Sequence, residues 1–444
     1  MRFADAVQLA PGDVVAFIGA GGKTRAMFRL AEDLAAEGWR VITTSTTPMS
    51  GDELRHAPQR IGLGTRMRLP ASIGAELERH RHLFVFTRVD SSGRVRGTRP
   101  NWLDDNLATF EHHDVLLVEA DISGPTALKA PAPDEPSVPE STTVTIPVVG
   151  LDVLGQPLTD EHVYGSERIH RQIGHPLRAP LTAEAIAAVL LNPSLGLKGM
   201  PRGTRVLPLL NKVTPDRLPD ARRIARLLLT DHMIERVVLG AMLDDDPVKA
   251  VYRRVGAVVL AAGRSTRMGQ PKVMLPWRDS TVIRHICRQL EPADLDDVIV
   301  VVGEQAAAVA EQTRDLHVRL AENYEGEMME SVRVGLSILW HTCDAAVIVL
   351  GDQPMLETHV VRGLIEAHAQ GRGRLIVPSH ENQRGHPILI DRSLWEAVFQ
   401  LPTLRDLLHE HEAAIHHLEV DTPSILHDID TPEDYEAARR LFEG

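Results

Sequence analysis

The chain has 444 residues, of which 43% are hydrophobic, 25% charged and only 4% aromatic, the balance of a globular protein of roughly two to three domains at about 150 residues each. A formal net charge of −13 argues against non-specific binding of nucleic acid or of an anionic membrane surface. The two cysteines, Cys287 and Cys343, form no C-x-x-C pair, the opening "MRFADAVQLAPGD" has no signal-peptide pattern, and no apolar run reaches the ~18 residues of a membrane span, so a cytoplasmic chain without disulfides is expected.

From the N-terminus, "DVVAFIG" is a short apolar run, "KTRAMFRLAEDLAAEG" has helical spacing and "WRVITTSTTPM" is β-branched. They predict a βαβ unit of a parallel sheet covered by helices. Between the first strand and the helix stands "GAGGKT", the context a phosphate-binding loop requires. The pattern G-x-x-x-x-G-K-[ST] asks for Gly where Phe17 stands, but Gly19, Gly21 and Gly22 keep the turn flexible. Lys23 suits β- and γ-phosphates, Thr24 suits Mg²⁺, and the helix N-terminus favours an anion. ATP or GTP is the expected ligand of this loop.

Further on, "HDVLLVEADISG" is a strand that delivers Glu119 and Asp121 at its end, as a metal-side acid would be. "APAPDEPSVPESTT" is a Pro-rich loop and "TVTIPVVGLDVLG" another strand. "LTAEAIAAVLLN" predicts a helix with a Thr N-cap, "TRVLPLLNKVT" a strand and "PDRLPDARRIARLLLTD" a helix. "LLNKVTPD" resembles the guanine-reading N-K-x-D, so Asn211 and Lys212 could form one wall of a base pocket. Thr214 at the Asp position puts guanine specificity in doubt, and the plainer reading is a strand end entering a Pro-initiated helix. Charges and a Pro in "DDDPVKAVYRR" break the pattern, so domains are expected at 1–248 and 254–444.

The second half opens on "VVLAAGRSTRMGQPKVMLPW". The strand ends at Leu260, and the small residues Ala261, Ala262 and Gly263 let the backbone approach a ligand closely. Successive N–H groups around Ser265 and Gly269 form an anion-binding concavity, and Arg267 and Lys272 add charge suited to a triphosphate. In "AAVIVLGDQPML" an apolar strand delivers Asp352 to the crevice edge where α/β proteins bind ligands, as a hard oxygen ligand for Mg²⁺. The alternative is an Asp in an ordinary turn before Pro354. In "HDIDTPEDYEAARRLF", Thr431 caps a helix with Pro432 at its first position, and Asp428 or Asp430 could reach the same metal. Both halves therefore read as α/β.

"LAAGRSTRMGQPK", "NYEGEMMESVRVGL", "LGDQP", "RGHPILI" and "DIDTPEDY", in that order, resemble the MobA-like nucleotidyltransferases, of the molybdenum cofactor cytidylyltransferase type, from Gly256 to the end. The resemblance implies a Rossmann-like, mostly parallel sheet with helices on both faces. It implies a triphosphate loop at 261–272 next to Leu260, with Arg267, Lys272 and Asp352 catalytic, and Mg²⁺ on Asp352 and Asp430. Asn323, Gly326, Met329 and Ser331 are implied to line the base and ribose pocket, and Arg384, Gly385, His386 and Pro387 to sit beside the acceptor. For His386 a turn histidine bonded to backbone is the alternative. Ala262, in "LAAG" rather than "LAGG", implies CTP. The acceptor would be the phosphate of molybdopterin, already anionic at neutral pH, attacking the α-phosphorus while pyrophosphate leaves.

"GAGGKT", "TTSTTPM", "VEADISG…LKAPAPDEP", "VVGLDVLGQPL" and "LKGMPRGTRVLPLLNKV" resemble accessory proteins of selenium-dependent hydroxylases of the YqeC type, over residues 5–245. The stretch after Asp121 departs from relatives, and Lys129 there could touch a phosphate. This second resemblance implies a P-loop-like domain in the maturation of molybdenum hydroxylases, with the cofactor and the recipient hydroxylase as partners and neither nucleic acid nor membrane. Two alternatives stand beside it: transfer from another NTP or to another phosphate, and an N-terminal half that only docks and delivers.

Overall fold

The computed structural model describes residues 1–64, 67, 69–70, 72–110, 113–122, 124–324 and 327–442. Two compact units divide the chain, Met1–Tyr252 and Arg253–Gly444.

In the first unit the elements are β1 (Asp13–Gly19), α1 (Lys23–Ala36), β2 (Val41–Ser45), β3 (Gln59–Gly62), β4 (His82–Phe86), β5 (Val115–Glu119), β6 (Val144–Gly150), α2 (Ala183–Leu191), β7 (Leu209–Asn211), α3 (Leu218–Leu229), β8 (Val237–Gly240) and β9 (Val248–Tyr252). They form a sheet in the order β9-β8-β7-β6-β1-β5-β2-β4-β3. Its strands run parallel except β9, which lies antiparallel to β8. Helices cover both faces, so the central strands are near-continuous apolar runs. Alternate side chains of β1 serve opposite faces. Val15 and Phe17 pack with Met27, Phe28 and Leu30 of α1, whereas Val14, Ala16 and Ile18 pack with Leu77, Leu103 and Leu116. Thr182 caps α2, its Oγ1 accepting from the Ala185 N–H at 3.2 Å. The two units meet between Tyr252 and Arg253, inside "DDDPVKAVYRR", but the stretch is not a plain linker: its second half is the edge strand β9, held by β8, so the first unit runs past 248. The acids and the Pro mark only the turn between those two strands.

In the second unit the elements are β10 (Val255–Ala261), α4 (Val282–Leu290), β11 (Asp297–Val302), β12 (Arg319–Glu322), α5 (Met328–Leu339), β13 (Ala345–Leu350), α6 (Thr358–Ala369), β14 (Leu375–His380), β15 (Ile388–Asp391), β16 (Ile415–Glu419) and α7 (Pro432–Phe442). The sheet order is β12-β11-β10-β13-β15-β14, with β16 also beside β14. β15 is antiparallel to both β13 and β14, and β10 to β13 are parallel. Val259, Val300 and Val347 pack under α4 and α6, while Val258, Ile299 and Ile348 pack under α5. α7 starts on a reciprocal cap: Thr431 Oγ1 accepts from the Asp434 N–H, and Asp434 Oδ2 accepts from the Thr431 N–H. Among the described residues, no helix is long and apolar enough to cross a membrane.

Candidate functional sites

Parallel neighbours β10 and β13 end on the same sheet edge, and the C-terminal site is built there. After Ala261 the chain enters a loop in which Ser265 and Gly269 both take positive φ, +49° and +72°. The loop closes where the Lys272 backbone N–H donates to Ser265 Oγ at 3.0 Å. Ala261 and Ala262 are buried, Gly263 is exposed, and the half-buried Leu260 packs toward the α5 side of the sheet. Asp352 stands just past β13, and its carbonyl accepts from the Ile429 N–H at 3.0 Å, which draws residues 428–430 alongside. Lys272 Nζ donates to Asp352 Oδ2 at 3.1 Å and to Asp430 Oδ1 at 2.6 Å. Arg267 Nη1 lies 2.8 Å from the other Asp430 oxygen. Asp428, the alternative to Asp430, instead accepts from the Gln353 side chain.

The electrostatics follow from depth. Burial raises the Asp352 carboxyl above its ordinary value despite the facing Lys272. Asp430, more open, is lowered by its hydrogen bond to Lys272. For Lys272, burial works downward, but the bonds and charges of Asp430 and Asp352 outweigh it and the ammonium is held above its ordinary range. Asp352 and Asp430 thus aim hard oxygen donors at one cation, here the ammonium, and that donor set fits a divalent ion that keeps water and substrate phosphate as its other ligands. Among the described residues, no group of three or more His, Cys, Asp or Glu forms a ready metal cage.

Asn323 and Ser331 meet directly, the Asn323 amide donating to Ser331 Oγ at 2.9 Å and to the Glu327 carbonyl. The pair staples the end of β12 to the start of α5. Met329 departs from its expected place in the base pocket: it is buried in the core with Val258 and Val332. Gly326 lies outside the described residues.

In the N-terminal unit the loop after β1 sits against the ends of β5, β6 and β7. Gly21 has φ +89°, and a Cβ there would come within 2.2 Å of the Gly150 nitrogen. Asn211 donates its amide to the Gly21 carbonyl at 2.9 Å and accepts from the Met242 N–H at 3.0 Å. Lys212, at φ +59°, pairs with Asp152 at 2.7 Å. Thr24 Oγ1 donates to Glu119 Oε2 at 2.7 Å, and the Gly19 N–H donates to Asp121 Oδ2 at 3.0 Å. Lys23 is buried, its Nζ 2.8 Å from the Gly19 carbonyl and 3.9 Å from Glu119. Burial pushes Lys23 down and Glu119 up, each countered by the other's charge. Burial likewise raises Asp121 against the pull of Lys129. Lys129 itself is buried between Asp121 and Glu135, so it holds the acids in place rather than facing a phosphate.

The family model described as MobA-like NTP transferase domain matches residues 257–415, and the one described as YqeC protein matches residues 15–167. Protein YqeC of Escherichia coli (strain K12) is 31% identical over 228 residues, which cover 51% of this chain and 86% of that one. The chain belongs to the YqeC family and carries a MobA-like NTP transferase domain behind it. The molybdenum cofactor cytidylyltransferase of the same E. coli strain is 26% identical over 193 residues, 42% of this chain and 97% of that one. Nicotine blue oxidoreductase of Paenarthrobacter nicotinovorans is 30% identical over 151 residues, 32% of this chain and 74% of its own. With its MobA-like domain, the protein is a nucleotidyltransferase.

The MobA-like domain also holds a cavity of about 690 Å³ lined by Arg384, Gly385 and His386. Pro387 follows and is buried. The His386 N–H donates to the Ile425 carbonyl, while burial lowers the ring's basicity against the pull of Asp428 and Asp352. The same cavity takes Arg405 and His409, which the sequence reading missed. Both lie on the short helix Leu404–Glu410, four residues apart, and that i,i+4 pair of basic side chains was the available signal.

Proposed function

We propose that the C-terminal unit transfers CMP from CTP to the phosphate of the molybdenum cofactor, releasing pyrophosphate. The observation that carries this reading is the convergence of Lys272 on Asp352 and Asp430, with Arg267 alongside, at the mouth of a backbone loop built for phosphates. In this reading Asp352 and Asp430 hold Mg²⁺, which when bound neutralises phosphate charge. Lys272 and Arg267 turn from the acids to the triphosphate, and the loop N–H groups fix its orientation. The acceptor is a phosphate monoester, largely dianionic at neutral pH with a second pKa near ~6. It attacks without a strong base: a new P–O bond forms at the α-phosphorus as the bond to pyrophosphate breaks. The cavity brings the guanidinium groups of Arg384 and Arg405, with Glu412 beside Arg384, to that anionic acceptor. CTP is favoured by Ala262 and by the similarity to the E. coli cytidylyltransferase.

For the N-terminal unit the reading is ATP or GTP at Gly19–Thr24, with Glu119 and Asp121 on the metal side, serving delivery of the cofactor to a recipient molybdenum hydroxylase in the cytoplasm. Thr24 bonded to Glu119 and the Gly19 N–H bonded to Asp121 support it.

Purified protein incubated with Mg²⁺, the cofactor and each of the four NTPs in turn, with products read by mass, tests the transfer. CTP should give the nucleotidylated cofactor, and Asp352→Ala should abolish it with the fold intact by circular dichroism. Preference for another NTP, or near-full activity in Asp352→Ala, would overturn the reading.

A further inference from the structure

A second cavity, of about 1020 Å³, lies in the N-terminal unit, and no part of the reading above uses it. It sits at the carboxyl ends of three adjacent parallel strands. Thr46 and Thr47 follow β2, Thr87 and Arg88 follow β4, and Gly64 lies just past β3. That crevice is where open α/β sheets take their ligands.

The far wall is a hairpin, Arg88–Val89 paired with Arg94–Arg96, clamped to β2. The Thr98 N–H donates to the Ser45 carbonyl at 2.7 Å, and Thr87 Oγ1 donates to the Gly97 carbonyl at 2.6 Å. Only glycine fits at Gly97, where a Cβ would come within 1.8 Å of the Ser45 oxygen. The wall is therefore preformed.

Its chemistry is one-sided. Arg88, Arg96 and Arg99 contribute to the lining, against the single carboxylate of Asp105. Arg96 is engaged by Asp90 at 2.9 Å. Arg88 and Arg99 have no ion-pair partner among the described residues and are exposed. Trp102 forms part of the wall with its indole N–H already donated to the Met67 carbonyl at 3.1 Å, so a ligand meets ring rather than donor. Two guanidinium groups with no ion-pair partner among the described residues, threonine hydroxyls and an aromatic ring suit a phosphate joined to a planar ring system. The cavity also borders the phosphate loop. The Thr46 N–H and Ser45 Oγ both donate to the Glu119 carbonyl at 3.0 Å, and the Glu119 carboxylate accepts from Thr24.

We propose that this cavity is a second ligand site of the N-terminal unit, taking a phosphorylated planar heterocycle beside the phosphate loop. The site stands whether or not that loop holds a nucleotide. A nucleotide and a pterin phosphate share the required chemistry, and the second is of interest because the acceptor proposed for the C-terminal unit is one.

Calorimetric titration of the full chain with 6-hydroxymethylpterin monophosphate, CMP and inorganic phosphate tests it. At least one ring phosphate should bind, and the double variant Arg88→Ala/Arg99→Ala should weaken it about tenfold or more. Transfer activity and the melting curve of that variant should not change, since both side chains are exposed. Trp102→Phe should weaken the ring phosphate severalfold and leave inorganic phosphate alone. Loss of pterin phosphate binding in the double variant identifies a pterin source, and loss of CMP binding a nucleotide source. If no ring phosphate shows binding that depends on Arg88 and Arg99, the proposal fails. It also fails if inorganic phosphate binds as tightly as the ring phosphates.

Discussion

Lys272 is the residue on which the C-terminal site turns, because one ammonium serves both Asp352 and Asp430. Lys272→Met should lower the transfer rate by roughly two to three orders of magnitude, the scale of losing one preorganised donor to developing charge, in a steady-state assay with saturating CTP. A second residue-scale effect lies far from catalysis. His82 is buried, bonded to Thr43 Oγ1 at 2.8 Å, and burial pushes its basicity down to about 4. An unfolded histidine titrates near ~6.5. Between those values the unfolded chain binds a proton that the folded chain refuses, so stability is complete above pH 6.5 and falls as the pH drops toward 4. The loss is on the order of 3 kcal/mol, judged from a folded value of about 4. Urea melts at pH 7.5 and 5.0 should show it, and His82→Gln should flatten the dependence. Cys287 and Cys343 are buried, with thiols pushed up to about 12. Neither should react with a disulfide reagent at neutral pH until the chain unfolds, as counted by absorbance of the released thiolate.

At the scale of elements, the glycine-rich loop after β1 shows what a sequence pattern can and cannot convey. Phe17 stands where the pattern wants Gly because that position is still strand: it pairs with Ile146 and Glu119 and fills the core under α1. The turn is made by Gly19 to Gly22 alone, so Gly21→Ala should cost more than ~1 kcal/mol, through both its positive φ and the Gly150 contact, read as a shifted urea midpoint. Strand–loop–helix order, the Thr182 and Thr431 caps and the strand-end position of Asp352 were legible because each rests on local spacing. Other features rest on contacts distant in sequence. β9 carries charges and follows a Pro, and only its pairing with β8 makes it a strand. Met329 lies next to polar motif residues, yet helix geometry turns it into the core. Lys129 looked free for a phosphate until Glu135 and Asp121 closed around it. Arg405 and His409 belong to no motif and join Arg384 only through the fold.

For the whole molecule, four hydrophobic clusters of described residues each stay within one unit, two drawing on residues before Arg253 and two on residues after it. Segments 1–252 and 253–444 should therefore fold when expressed apart, each with a cooperative melt, and the second should keep the transfer activity; a molten second segment would show that its core is incomplete alone. The two glycine-rich loops also share a resting arrangement, since Lys272 is held by two carboxylates and Lys23 lies between the Gly19 carbonyl and Glu119. Neither cation is spare. Chloride, sulfate and free phosphate, which offer one or two charges, gain little by breaking those contacts and meet a chain of net charge −13 as well. A nucleoside triphosphate offers several oxygens at once and can replace every partner the lysine gives up. If both loops take nucleoside triphosphates as proposed, self-pairing of this kind would work as a filter, keeping them clear of common small anions and reserving them for a polyphosphate.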